Sequence, residues 1–251
     1  MNPRDPWPDL VPANNLNNAS CRLRGETSAM LYIIATPIGN LGDISFRAIE
    51  VLKSVDKIYC EDTRRTATLL RHYHVKKPTE SFHQHSRSKI ESIIYELKSG
   101  MELAFVSDAG TPGIQDPGGM LVAAAREAAI EVIPIPGASA VTTLLSVSGI
   151  ATDNFFFAGY VPTKKGRQTF FKRILSIDSP VVFFETAPRL HKLFDQIKVI
   201  VGVDRSLIVG RELTKQFEEI RIGKPEKLKE LFAKPRGEFV IVLTPKNSQL
   251  S

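Results

Sequence analysis

The sequence predicts an α/β protein in two units, a mostly parallel sheet followed by a mixed α/β unit. Three observations predict it. From residue 31 to about 149, short apolar runs alternate with amphipathic stretches of helical length, the order that builds a parallel sheet covered on both faces. Three of these runs end in loops dense in glycine and proline. Beyond residue 150 the character changes, and three apolar runs follow one another with a single helix among them, which implies more antiparallel pairing.

Residues 1–29 stand apart. They hold four prolines, five asparagines and almost no apolar periodicity, and are expected to be a disordered extension. A strand begins directly after Met30, so translation from Met30 is an alternative reading. The first unit, residues 30–149, opens with a strand at 31–35. Phe46, Ile49 and Leu52 then recur at helical spacing. A strand at 57–60, amphipathic helices at 63–73 and 87–97, a fully apolar strand at 103–106, a helix at 121–129 and a strand at 132–135 follow. A helix at 138–148 opens after Pro136-Gly137. The second unit, residues 150–245, reads as strands at 155–161, 181–185, 206–211, 217–222 and 239–243, with helices at 168–177, 189–201 and 226–232. Residues 246–251 are a tail. One continuous domain is the alternative reading, and the chain shows no internal repeat.

Composition narrows the class. With 43% hydrophobic and 24% charged residues the chain is ordinary globular protein. It has no run of about 18 apolar residues and no apolar signal core, so a cytoplasmic protein is expected. Two cysteines, Cys21 and Cys60, are too few for a disulfide framework or a cysteine-only metal site. A net charge of +6 favours a polyanionic partner modestly.

The three Gly/Pro loops should lie together at the carboxyl edge of the parallel sheet, where open α/β sheets bind ligands. The first, Thr36-Pro37-Ile38-Gly39-Asn40-Leu41-Gly42-Asp43, is neither GxGxxG nor a Walker loop; Asp43 or Ser45 can cap the next helix. Residues 107–118 form the second, with two carboxylates and three glycines in twelve residues. There Asp116 reads as structural, because Pro117 looks like the first position of a helix. Asp108 follows the strand directly and could accept from a ligand amine or ribose. The third, Ile135-Pro136-Gly137-Ala138-Ser139-Ala140, sets small residues at a helix start.

Together these loops resemble the tetrapyrrole-methylase superfamily and, within it, the ribosomal RNA small subunit methyltransferase I family. Also matching are Glu61-Asp62-Thr63-Arg64, Arg211-Glu212-Leu213-Thr214-Lys215, Phe184-Glu185 with Pro188-Arg189, and Gly237-Glu238. The resemblance runs from Met30 to Leu243. Gln115 stands where that family more often has serine, and Cys60 where alanine is usual; the extension has no counterpart. The resemblance implies a two-domain tetrapyrrole-methylase fold, a homodimer, and S-adenosyl-L-methionine in a cleft between the domains. It also implies 2′-O-methylation of a 16S rRNA cytidine in the small ribosomal subunit. Carried over by position, Pro37, Gly39, Asp108, Ala109, Gly110, Ile114, Ser139, Ala140 and Phe184 would line the cofactor site.

A ribose hydroxyl is a poor nucleophile, so transfer needs alignment of the reactants and a group that takes or stabilises the departing proton. Glu61, Asp62, Glu185, Glu212 and Lys215 are the candidates, unranked, with an ion-pair network as the alternative for Arg211, Glu212 and Lys215. Glu61-Asp62 follows a strand, so at least one of the two carboxylates should face the crevice. Arg64 could pair with a carboxylate or take an RNA phosphate. Lys164, Lys165, Arg167, Lys172 and Arg173 form the densest basic stretch, suited to phosphate or plain solvent. Arg64, Arg65 and Arg71 make a second basic face, and Phe170 and Phe171 read as core. His83 and His85 share one strand face and read as surface or RNA contact rather than a zinc pair, so no metal is expected. The rival readings are methylation of a tetrapyrrole or a protein side chain, and a non-catalytic S-adenosylmethionine-binding protein. A nicotinamide-dependent oxidoreductase fails for want of GxGxxG.

Overall fold

The computed structural model describes residues 29–82, 87–201, 205–246 and 248. The expected extension (but for Ala29), the His83 and His85 pair and most of the 246–251 tail lie outside the described residues.

Five strands build the first sheet: β1 (Met30–Ile34), β2 (Lys57–Cys60), β3 (Thr79–Ser81), β4 (Glu102–Val106) and β5 (Glu131–Ile135). Their order is β3-β2-β4-β1-β5, every pair parallel. Side chains alternate between two cores, as strand geometry dictates. Tyr32, Ile34, Ile58, Cys60, Ala104 and Val106 face α1 (Phe46–Ser54) and Leu70 of α2 (Thr63–His72). Leu31, Tyr59, Leu103 and Phe105 face α3 (Arg87–Lys98) and α4 (Gly119–Glu127). The helices start where capping chemistry allows. Ser45 Oγ accepts from the Ala48 amide, and an Asp62 carboxylate oxygen accepts from the Arg64 amide.

The second sheet is mixed, in the order β6-β7-β10-β8-β9. Its strands are β6 (Phe156–Tyr160), β7 (Val181–Thr186), β8 (Leu207–Arg211), β9 (Glu219–Gly223) and β10 (Glu238–Leu243). Only β6 and β7 run parallel. One face, through Val181, Phe183, Val209, Phe239 and Ile241, packs on α6 (Arg167–Ser176), α7 (Leu190–Val201) and α8 (Pro225–Leu231). Fully burying a side chain of this kind contributes about 1.5–3 kcal/mol. The opposite face, through Val182, Ile208, Val240 and Val242, takes Val141, Leu144 and Leu145 of α5 (Ala140–Ser146). So α5, which precedes the junction expected near residue 150, seals the second sheet.

Phe171 is core and Phe170 packs against it. The edge strand β3 was not expected from the sequence, and α4 begins at Gly119 rather than beside Pro117.

Candidate active site in the cleft between the two sheets

Because β2, β4, β1 and β5 are neighbours and parallel, the loops that follow them line up along one edge. Backbone bonds join the first two loops: the Thr36 amide donates to Gly110 O at 2.9 Å and the Gly110 amide to Thr36 O at 3.0 Å. Thr36 Oγ1 also donates to Ser107 O at 3.1 Å. Gly110 has φ of 79°, a conformation costly for any side chain. Gly39 is bare for another reason. A Cβ there would run into the Lys215 side chain and stand 3.0 Å from Leu213 O, so the first loop seats directly on the 213–215 turn after β8.

These loops and the carboxyl-edge region of the second sheet enclose a cleft of about 360 Å³, within the range of small-molecule sites. Asp108, Ala109, Gly110, Ile114, Ser139, Ala140 and Phe184 line it, as do Glu61, Glu185, Glu212 and Lys215. Of the remaining expected residues, Pro37 lines a smaller adjoining pocket of about 80 Å³. Gly39 is taken up by its contact with the turn, and Asp62 caps α2 instead of facing the cleft.

The two walls differ in electrostatics. On the first-sheet side, Asp108 is the hub. Its Oδ1 accepts from the Asp62 amide at 3.0 Å, its Oδ2 lies 3.3 Å from Arg65 Nη1, and its own amide donates to Glu61 Oε2 at 3.3 Å. Asp116 shares this wall, and burial, then the charges of Glu61 and Asp108, push its carboxyl up to about 6. Asp62, by contrast, is held down to about 2, chiefly by Arg64, whose Nε and Nη2 reach its two oxygens at 3.1 and 2.8 Å.

On the second-sheet side the charges are matched among themselves. Lys215 Nζ lies 3.0 Å from both Glu212 Oε1 and Glu238 Oε2. Burial alone would lower the Lys215 pKa and raise that of Glu212. Glu212 and Glu238 outweigh that for the ammonium, and the Glu238 amide with Lys215 outweighs it for the carboxylate, so both stay charged. Glu185, 1% exposed, accepts from the Thr186 amide and meets Arg189 Nη2 at 2.6 Å and Arg167 Nη1 at 3.5 Å. The ring of Phe184 stands 5.2 Å from those of Tyr160 and Phe157. Gln115 crosses the cleft: a Cβ on Gly159 of β6 would collide with its side chain.

Two expectations change, those for Arg167 and Asp116. Arg167 does not face solvent; it is buried, donating to Gln196 Oε1 at 2.7 Å and Pro162 O at 2.9 Å beside Glu185. Lys164, Lys165, Lys172 and Arg173 are exposed, with Arg173 over the Phe156 ring at 4.6 Å. Arg64 is exposed but engaged by Asp62. Asp116 caps no helix and instead lines the cleft. Ile38, Arg65, Tyr160 and Glu238 also line it unforeseen; Ile38 lay inside the first loop, and Glu238 beside Gly237 in a matching dipeptide, so both were within reach of the sequence.

The fold and this cleft define the class. Residues 30–229 match the family model described as Tetrapyrrole (Corrin/Porphyrin) Methylases. A cobalt precorrin-4 methyltransferase superposes with a TM-score of 0.67 at 13% identity, covering 89% of this chain and 98% of that one. A diphthine synthase gives 0.63 at 18% identity, with 86% and 90% covered. At these identities the likeness is one of fold. Sequence relatives are closer: the Synechocystis protein named Ribosomal RNA small subunit methyltransferase I is 44% identical, over 85% of this chain and 78% of its own. Its namesake from Haemophilus influenzae is 41% identical, over 88% and 80%. The chain belongs to the ribosomal RNA small subunit methyltransferase I family, within the tetrapyrrole methylases.

Proposed function

We propose that the protein methylates the 2′-hydroxyl of a cytidine ribose in 16S rRNA of the small ribosomal subunit, using S-adenosyl-L-methionine. The observation that carries this reading is the 44% identity, across most of both chains, to a relative bearing the small-subunit methyltransferase name. The cleft suits the cofactor. Its first-sheet wall carries Glu61, Asp108 and Asp116, which favour a cationic ligand, while Ala109, Gly110 and Ala140 leave room beside Phe184 and Tyr160 for a flat ring. When bound, S-adenosylmethionine supplies an electrophilic methyl group on a sulfonium.

The chain's own residues then divide the work. Asp108, fixed by the Asp62 amide, holds a polar group of the cofactor; Ser139 and Ala140 border it where α5 begins; Phe184 and Tyr160 flank its ring. Asp116 is the group that accepts the hydroxyl proton, with Glu61 beside it on the same wall, since a carboxylate near 6 is ionised at neutral pH and more basic than an ordinary one. Glu212, Lys215 and Glu185 act through paired charges, fixing the shape of the opposite wall. Exposed Lys164, Lys165, Lys172 and Arg173 meet RNA phosphates. The reading includes two domains meeting near residue 150, a homodimer and a cytoplasmic location. No helix among the described residues is long and apolar enough to cross a membrane.

The test is nucleoside analysis of 16S rRNA from cells lacking the protein. The expected result is loss of one 2′-O-methylcytidine, restored by the wild-type chain and not by Asp108→Ala. An unchanged rRNA, with altered methylation of a tetrapyrrole or protein, moves the substrate elsewhere in the fold class.

A further inference from the structure

The acidic wall poses a problem that the cleft must solve: carboxylates that favour a cationic cofactor repel an RNA backbone. Among the described residues lining the cleft, the cations are Arg65 and Lys215. Lys215 is held between Glu212 and Glu238. Arg64, next in sequence, is engaged at both Asp62 oxygens. Arg65 differs from both. Its side chain is 67% exposed, its one ion pair given by the structure is to Asp108 at 3.3 Å, and it borders both the cleft and the adjoining pocket under Thr36 and Pro37. A pair this exposed is weak and exchanges readily. A guanidinium fork can keep one arm on a carboxylate and give the other to a phosphate.

We propose that Arg65 is the positioning residue that seats a backbone phosphate of the substrate at the cleft mouth, bridging it to Asp108 on the cofactor wall. The inference rests on the reading of the substrate as rRNA. It reassigns to Arg65 the phosphate contact that the sequence suggested for Arg64, because the helix cap occupies Arg64. The bridge ties substrate docking to the carboxylate that borders the cofactor, so the phosphate is gripped where the hydroxyl must be aligned.

The experiment compares wild type, Arg65→Ala, Arg65→Lys and Arg64→Ala in methyl transfer to 30S subunits, with S-adenosylmethionine affinity by calorimetry and 30S binding by filter retention across salt. For Arg65→Ala the expected result is a KM for 30S subunits raised about tenfold and a salt slope of binding reduced by about one. Cofactor affinity should stay within about twofold, because an exposed pair contributes little to its carboxylate partner. Arg65→Lys should recover part of the KM and all of the slope, since it keeps the charge and loses the fork. Arg64→Ala should leave both near wild type. An unchanged KM and slope in Arg65→Ala overturns the proposal, as does parallel loss of cofactor binding, which assigns Arg65 to the cofactor wall alone. If Arg65→Ala fails to fold by its melting curve, Arg65→Lys decides: an unchanged KM overturns the proposal. A wild-type protein that neither binds nor methylates 30S subunits removes the rRNA reading itself, and this inference with it.

Discussion

The two walls of the cleft are built on opposite plans. The first-sheet wall is backbone and small residues, shaped by loops that need Gly110 at positive φ and a bare Gly39, and its carboxylates cluster against one another. The second-sheet wall carries as much charge, but there three carboxylates, Glu212, Glu238 and Glu185, face three cations, Lys215, Arg167 and Arg189. The difference teaches which charges are open to a ligand. Carboxylates crowded against one another favour a cationic ligand, while those set between cations fix shape.

The sharpest way to break this contrast is Glu185→Ala. It leaves two arginines beside a buried cavity and should cost about 3–5 kcal/mol of stability, read by denaturant unfolding. Activity should fall only as far as the fold does. Asp108→Ala should do the reverse. Cofactor affinity should drop about 100-fold, close to 3 kcal/mol, with the melting temperature little changed, as calorimetry and thermal unfolding can establish. Equal loss of stability in both variants would erase the distinction between the walls.

Gly39→Ala probes the seam where the walls meet. The added methyl presses on Lys215 and approaches Leu213 O, so it should cost about 1–3 kcal/mol and raise KM for the cofactor as the turn shifts.

The smallest effect is in pH. Asp116 titrates at about 6, above its ordinary value, so in the interval from about 4 to 6 the folded state binds more protons than the unfolded one. Its contribution therefore weakens the fold as pH rises through that interval. Asp116→Asn should raise the melting temperature at pH 7 by about 2–4 °C and leave it unchanged at pH 4. In the same variant, cofactor affinity should lose its fall between pH 7 and pH 5.

Much of the first wall was legible because its signals are local. Apolar runs such as Leu103-Ala104-Phe105-Val106 and loops rich in glycine give both a strand and the place where it ends. The parallel order then brings Asp108, Gly110, Ser139 and Ala140 together. What stayed hidden depends on partners distant in sequence. Arg167 sits in a basic stretch that reads as surface, yet Glu185 and Gln196, 18 and 29 residues on, bury it. Asp116 beside Pro117 has the look of a helix start, but the backbone turns through Gly118 first and leaves the carboxylate in the cleft. The edge strand β3, Thr79-Glu80-Ser81, carries no apolar pattern, and among the described residues it pairs with β2 alone. For Arg64 and Arg65, adjacency in sequence concealed opposite surroundings, since successive helical residues point about 100° apart.

The most direct measurement is transfer of labelled methyl from S-adenosylmethionine to 30S subunits taken from cells lacking this protein, with wild type and Asp108→Ala side by side. Wild type should place label at a single cytidine, resistant to alkaline hydrolysis, and Asp108→Ala should place almost none. Label on no ribosomal particle, despite measurable cofactor binding to the wild-type cleft, would contradict the rRNA substrate and leave the acidic wall serving another methyl acceptor.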